Sequence, residues 1–355
     1  MKKTLKLFGA LGLAAVVLMG CGKEDGQTQE SEPVKVGFAT VQESIEMMHF
    51  DQALEQLEEI EITRGNRQQH YLFRGIAFMG QGYYEEAVEA LETALSYNNG
   101  FVGEIDYDIN RYLAAAYYHL GYYEEAGQVY KAIVDLLPTD AQAYYDYGVT
   151  LLRLDDYTAG KEAFEKAVSL EPDNYTRVIQ VYEACYEFGY GNLGLEFVEA
   201  ALTEGGADMN AYDKGRMLYH IGNYNEAISA LEKVDKEQYA RVSLYLGMSY
   251  EALGDFNYAA NVYEAGLTEN NDPAFYNQLG LCLMKCGKYE KALEAFQAGL
   301  DFEGNANRQA LRFNEAVAYE YLADFDTAKR LMEAYLKDYP KDELARREYT
   351  FLESR

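Results

Sequence analysis

The sequence predicts an all-α fold built from about nine copies of one helical unit, and three observations support this prediction. Apolar residues along most of the chain are spaced three and four positions apart, which is the spacing of one face of a helix. No segment alternates apolar and polar residues for long enough to predict a β-strand. One motif, typified by Gly-Tyr-Tyr-Glu-Glu-Ala at residues 82–87 and 121–126, recurs at intervals close to 34 residues.

The first twenty residues predict an export signal. Three lysines in the first six residues precede an apolar run from Leu7 to Met19, which is too short for a mature transmembrane helix and typical of a secretory leader. The ending Leu18-Met19-Gly20-Cys21 resembles the lipobox of bacterial lipoproteins. The resemblance implies cleavage after residue 20 and acylation of Cys21, for example with palmitate. Such an anchor would hold the protein on the extracytoplasmic face of either the outer or the cytoplasmic membrane.

A polar segment follows the leader. Residues 22–33 contain no apolar side chain, so they cannot bury a face, and residues 21–33 are predicted to be a flexible, lipid-anchored linker. Residues 34–355 carry the repeats, and the segment after Pro340 has the composition of a helix that caps the last repeat.

Each copy of the motif repeats the same chemistry around a small anchor residue. A small residue lies twelve positions before most anchors, an aromatic residue lies three positions before, and an apolar residue lies four positions after. The fifth copy departs from this pattern, with Gly191 at the aromatic position and Tyr182 at the first small position. The nine anchors are Ala53, Ala87, Ala126, Gly160, Gly194, Ala227, Ala259, Ala292 and Ala328.

This pattern resembles the tetratricopeptide repeat, a 34-residue pair of antiparallel helices with conserved small and aromatic positions. The resemblance covers about residues 34–340. It implies a right-handed superhelical solenoid of about nine helix pairs, in which each pair contacts its neighbours and the first helices line a concave groove.

Composition and motifs exclude several classes of function. The chain has 59 acidic and 31 basic residues, a formal charge of −28, which argues against nucleic-acid binding because phosphate contacts need clustered lysine and arginine. No metal-binding or nucleotide-binding motif occurs, so no metal and no cofactor are predicted. No nucleophile lies beside a base in a recognisable motif, and the protein is predicted not to be an enzyme.

The predicted groove is apolar and aromatic, with a few arginines. Tyrosine and arginine often carry binding energy at protein interfaces, and a continuous apolar surface normally has a partner. The alternative is that these side chains pack on one another in a tightly curved solenoid. The predicted groove residues are Arg111, Tyr112, Tyr118, Tyr145, Arg153, Tyr186, Tyr212, Arg216, Tyr219 and Tyr245.

These features predict a membrane-anchored scaffold or assembly adaptor of the cell envelope, which binds a peptide segment of a protein partner in its groove. The alternative function is an extracytoplasmic receptor for a small ligand such as a glycan or a peptide, with tyrosine rings stacking on the ligand. The groove tyrosines are common to both hypotheses.

Overall fold

The computed structural model describes residues 37–98, 100, 102–205, 209–235, 239, 241–269, 273–302 and 307–355. Over these residues the chain forms nineteen α-helices and no β-strand. It divides into two compact units, and we call the described residues up to Phe197 the N-terminal unit and those from Val198 the C-terminal unit. In the described part of the chain, no helix is both long enough and apolar enough to cross a membrane.

The helices of the N-terminal unit follow one another in pairs joined by short turns. The last helix, α10, crosses the boundary at residue 198. The helices are α1 Phe38–Glu46, α2 Phe50–Glu58, α3 Arg67–Gln81, α4 Tyr84–Ser96, α5 Glu104–Leu120, α6 Tyr123–Leu136, α7 Ala141–Arg153, α8 Tyr157–Leu170, α9 Tyr175–Glu187 and α10 Gly191–Gly205.

The C-terminal unit continues the pairs and ends with one single helix. That helix, α19, buries Ala345 and Leu352 in a cluster with Met332 and Tyr335 of the preceding helix. The helices are α11 Ala211–His220, α12 Tyr224–Leu231, α13 Val242–Ala252, α14 Phe256–Glu269, α15 Pro273–Lys285, α16 Tyr289–Leu300, α17 Arg308–Tyr321, α18 Phe325–Asp338 and α19 Glu343–Glu353. The nine pairs seen in the described residues confirm the predicted repeat.

The repeated aromatic residue marks the start of the second helix in each pair. Eight second helices begin at that residue, and the exception, α10, begins at Gly191, which occupies the same position. Prolines follow the ends of several of these helices, because proline cannot continue the backbone hydrogen bonding of a helix. Pro138, Pro172 and Pro340 each lie two residues beyond the end of a second helix.

The repeated small residue lies against the apolar residue that follows the anchor. A Cβ atom placed on Gly148 of α7 would lie 2.6 Å from Cε1 of Phe164 in α8, and one placed on Gly280 of α15 would lie 2.2 Å from Cε1 of Phe296 in α16. Both phenylalanines are fully buried. The two helices of a pair therefore approach so closely that only glycine fits at these positions.

The fifth pair uses a glycine on its second helix instead. A Cβ atom on Gly194 of α10 would lie 3.0 Å from the backbone of Tyr182 in α9. This glycine lets the backbone of α10 come close to the backbone of α9, at the position where Tyr182 replaces the usual small residue.

The turn inside each pair contains one residue in the left-handed region of the backbone. Glycine occupies this position in six of the nine pairs, and Met48, Asp155 and Ala323 occupy it in the others, with φ near 60°. At Ala323 the amide donates to the Glu320 carbonyl, and the next amide donates to the Tyr319 carbonyl, which closes the end of α17. An L-residue with a side chain is strained in this conformation by about 1 to 2 kcal/mol.

We expect Ala323→Gly to raise the free energy of unfolding by about 0.5 to 1 kcal/mol, since glycine relieves this strain but gains freedom in the unfolded chain. The measurement is chemical denaturation followed by circular dichroism. The matched control is Gly254→Ala in the same unit, where φ is 84° and no atom lies within 4 Å of the added methyl group. The Gly254→Ala variant should lower the free energy of unfolding. If both variants changed the free energy of unfolding in the same direction, the explanation would be contradicted.

Candidate functional site

Six of the predicted groove residues lie on the first helices of the N-terminal unit. The side chains of Arg111, Arg153 and Tyr186 are exposed, whereas those of Tyr112 and Tyr118 are half-buried. Tyr186 is 70% exposed and stacks on Tyr182, one turn earlier in α9, with 6.2 Å between the ring centroids. The sixth residue, Tyr145, is buried in the core.

Tyr118 and Arg153 are brought together near the ends of α5 and α7. The Tyr118 ring meets the Tyr123 ring edge-on at 5.2 Å, and the Arg153 guanidinium lies 5.2 Å from the centre of the same Tyr123 ring. The guanidinium also lies 5.0 Å from the Phe188 ring at the end of α9. Burial raises the pKa of Tyr118, which therefore stays a neutral hydrogen-bonding phenol at physiological pH.

Tyr145 is a correction to the sequence analysis, because it lies in the core and not on an exposed groove. Its side chain is 8% exposed and packs against Phe164, with 5.9 Å between the ring centroids. The buried Arg177 of the next first helix also packs on Tyr145, with its guanidinium 4.9 Å from the ring centre. This arginine also donates to Gln142, Gln180 and Glu171, so its charge is compensated within the unit.

Asp146 lies in the same polar network and was not singled out in the sequence. Gln142 donates to its Oδ1 atom at 2.8 Å, and its side chain is half-buried. Burial raises the pKa of Asp146 to about 6, although the positive charges of Arg111 and Arg177 oppose the shift. A raised pKa means that the folded state disfavours the ionised carboxylate.

We expect Asp146→Asn to raise the free energy of unfolding at pH 7.5 by about 1 to 2 kcal/mol, since each unit of pKa shift corresponds to about 1.4 kcal/mol and partial exposure weakens the effect. In the native protein the folded state binds the proton more tightly than the unfolded state, so stability falls as the pH rises through about 6. The advantage of the variant should therefore disappear near pH 4. Urea denaturation of the native protein and the variant at pH 7.5 and pH 4 measures this difference in the free energy of unfolding. An equal difference at the two pH values would contradict this account.

In the C-terminal unit, four predicted residues are brought together on α11 and α13. Tyr219 lies 5.8 Å from Tyr245, and Tyr212 lies 6.2 Å from Tyr245, both with rings close to perpendicular. Two further rings that the sequence analysis missed complete the group. Tyr239 stacks on Tyr212 at 4.6 Å, and Tyr224 lies 5.7 Å from Tyr219.

We call these five half-buried tyrosines, residues 212, 219, 224, 239 and 245, the tyrosine cluster. Tyr239 precedes α13 in a connecting segment, so helical spacing gave no signal for it. Tyr224 is the repeated aromatic residue at the start of α12, and the sequence assigned it to the pair rather than to the groove. Each ring keeps part of its surface accessible and is held by at least one other ring of the cluster.

Arg216 is the second correction, because it is buried beneath the cluster. Its side chain forms an ion pair with Asp213 at 2.5 Å, and its guanidinium lies 4.8 Å from the centre of the Tyr212 ring. Burial, together with the charge of Arg216, lowers the pKa of His220 to about 4, so this histidine is neutral beside Tyr245. Arg216 therefore positions Tyr212 and is not available to select an acidic ligand.

The remaining predicted features divide between described and undescribed residues. Cys21, the leader and the linker lie outside the described residues. In the described part, no group of three or more histidine, cysteine or acidic side chains could hold a metal ion. Cys185 and Cys282 are buried thiols, and burial raises the pKa of both.

Comparison with protein families matches the tetratricopeptide repeat at residues 72–141, 141–174, 273–306 and 309–342. The chain is a tetratricopeptide repeat protein. Such repeats bind protein partners and are generally not enzymes, so the chain is a protein-interaction scaffold.

Several solved structures are similar to this tetratricopeptide repeat protein. One is a tetratricopeptide repeat protein from Parabacteroides merdae, with 16% identity over 79% of this chain and 96% of that chain and a TM-score of 0.48. Another is MamA from Desulfovibrio magneticus, with 22% identity over 47% of this chain and 91% of that chain and a TM-score of 0.40. A third is the Cut9–Hcn1 hetero-tetramer of APC/C, with 15% identity over 87% of this chain and 62% of that chain and a TM-score of 0.44.

Proposed function

We propose that this protein is a lipid-anchored scaffold on the extracytoplasmic face of a bacterial membrane, which binds a peptide segment of another envelope protein. The observation that carries the proposal is the tyrosine cluster on α11, α12 and α13. Five half-buried rings in one group offer a large contact area whose side chains are already ordered, so a partner loses little side-chain entropy on binding. Tyrosine is also enriched among residues that dominate binding energy.

The contacts below the cluster support a role in binding. Arg216, which is paired with Asp213, contacts the Tyr212 ring, and Tyr239 stacks on the same ring, so two neighbours hold this ring in place. Fixed, half-buried aromatic rings suit the apolar side chain of a peptide.

The proposed location depends on the sequence of the leader. The apolar run ends at Cys21, and the polar linker begins immediately after it. A linker of this composition would hold the repeats away from the membrane surface while leaving them tethered to it.

The test is photo-crosslinking in cells that carry the anchored protein. A benzophenone amino acid is placed at Tyr219 in the cluster or, as a matched control, at Tyr321, which is 48% exposed and lies outside the cluster in the same unit. The control position is the more accessible one, so random collision favours it. We expect a discrete protein adduct at position 219 and none at position 321.

Equal adducts at both positions would contradict the proposal. Absence of any protein adduct at position 219 would also contradict it and would favour a small ligand, such as a glycan, as the molecule bound by the tyrosines.

A further inference from the structure

Two rings of the tyrosine cluster leave the same face of one helix at a fixed spacing. Tyr212 and Tyr219 both belong to α11 and lie seven residues apart, which is close to two helical turns. A helix rises about 1.5 Å per residue, so the two side chains are attached about 10 Å apart along the helix axis. Both rings contact Tyr245 of α13, which packs against α11. The cluster therefore extends along α11 rather than around a single point.

The charges in contact with these rings are already compensated. Arg216, whose guanidinium packs on the Tyr212 ring, forms an ion pair with Asp213 at 2.5 Å. His220 lies 6.1 Å from the Tyr245 ring, and it is neutral because burial and the charge of Arg216 lower its pKa to about 4. The formal charge of the whole chain, −28, also repels acidic segments. These features favour an uncharged ligand.

Two hydroxyl groups of the cluster are ready to donate hydrogen bonds to a ligand. Within the described part of the chain, the hydroxyl groups of Tyr212 and Tyr224 make no hydrogen bond, and neither oxygen atom is buried. Burial of its ring raises the pKa of Tyr212, so the hydroxyl stays protonated at physiological pH. A ligand with exposed backbone carbonyl groups would supply the matching acceptors.

We infer that the tyrosine cluster binds a proline-rich segment in the polyproline II conformation, which runs along α11. This conformation makes no internal hydrogen bonds, so its carbonyl groups are exposed, and it is already ordered before binding. It has three residues per turn and a rise of about 3.1 Å per residue, so prolines three positions apart share one face about 9 Å apart. That distance matches the spacing of Tyr212 and Tyr219. The inference rests on the proposed function and names the class of peptide that the site takes.

The experiment measures the binding of three short, uncharged, labelled peptides to the purified full-length chain by fluorescence anisotropy. The first peptide has a proline at every third position. The second has the same composition with its prolines at every second position, so no two prolines are three positions apart. The third has alanine in place of every proline. We expect the first peptide to bind at least threefold more tightly than the second and at least tenfold more tightly than the third.

The decisive variant, Y212S with Y219S, removes both rings from α11. Its matched control, Y289S with Y321S, removes another pair of contacting tyrosines from the same unit, whose ring centroids are 5.0 Å apart. We expect the first variant to raise the Kd of the first peptide at least tenfold and the control to leave it unchanged. A further variant, Y212F with Y224F, deletes only two accessible oxygen atoms and keeps the fold. It should raise the same Kd three- to tenfold.

Equal Kd values for the three peptides would overturn the inference, and this comparison uses the unchanged protein, so it holds even if the serine variant unfolds. An unchanged Kd in both the serine and the phenylalanine variants would also overturn it. The crosslinking experiment separates this failure from that of the proposed function. A protein adduct at position 219 with equal Kd values for the peptides would leave the proposed function standing, whereas absence of the adduct would contradict both.

Discussion

Replacing Gly148 with alanine is expected to lower the free energy of unfolding by about 2 kcal/mol. The added methyl carbon would lie 2.6 Å from Cε1 and 2.7 Å from Cδ1 of Phe164, closer than van der Waals contact permits. Tyr145 packs on one side of this ring and Phe197 on another, so the ring cannot move away without disturbing its neighbours. Overpacking of a buried site costs about 1 to 3 kcal/mol, which exceeds the gain that alanine brings to a helix.

The matched control for this prediction is Gly127→Ala in α6 of the same unit. Gly127 is also buried and helical, but its added carbon would lie 3.7 Å from Leu154 Cδ1 and Thr150 Cγ2, an ordinary contact distance. Here the helix-forming tendency of alanine should raise the free energy of unfolding by about 0.5 to 1 kcal/mol. Denaturation curves of the two variants should shift in opposite directions. A stable Gly148→Ala protein would show that the two helices are not as close as described.

Replacing Cys21 with alanine is expected to release nearly all of the protein from the membrane. If Cys21 carries the acyl chains, its loss removes the anchor, and a chain whose formal charge is −28 has no electrostatic attraction to anionic lipid. The measurement is membrane fractionation together with incorporation of labelled palmitate. The matched control is Cys286→Ala, which removes a half-buried thiol in the turn between α15 and α16. This variant should leave both the membrane fraction and the palmitate label unchanged. Label in the Cys21→Ala protein, or its retention in the membrane fraction, would refute the lipid anchor.

The repeated fold could be predicted from the sequence because each helix pair repeats the same local requirements. The aromatic residue at the start of the second helix, the glycine under Phe164 and the proline beyond α8 each follow from contacts within one pair. Such contacts involve residues about sixteen positions apart or fewer, and nine copies average out the exceptions. The left-handed residue in each turn was harder to predict where Met48 or Ala323 replaces glycine.

The candidate site could be predicted only in part, because equivalent repeat positions differ in burial. Arg111, Tyr145 and Ile179 occupy the same position in three successive pairs, yet Arg111 is exposed and the other two are buried. Arg177 makes the difference at Tyr145, since it reaches back from the next pair to cover the ring. Contacts of this kind, between neighbouring pairs, leave no signal in the spacing of a single motif. Tyr239 could not be predicted for a similar reason, because it belongs to a connecting segment and not to a helix.

The central claim is that the tyrosine cluster is the surface that binds a partner protein, and hydrogen exchange tests it most directly. Exchange of the full-length chain is measured by mass spectrometry with and without the purified partner captured at position 219. The account predicts slower exchange in residues 211–220 and 242–252 when the partner is present. Unchanged exchange in both helices, with protection confined to other helices, would contradict it.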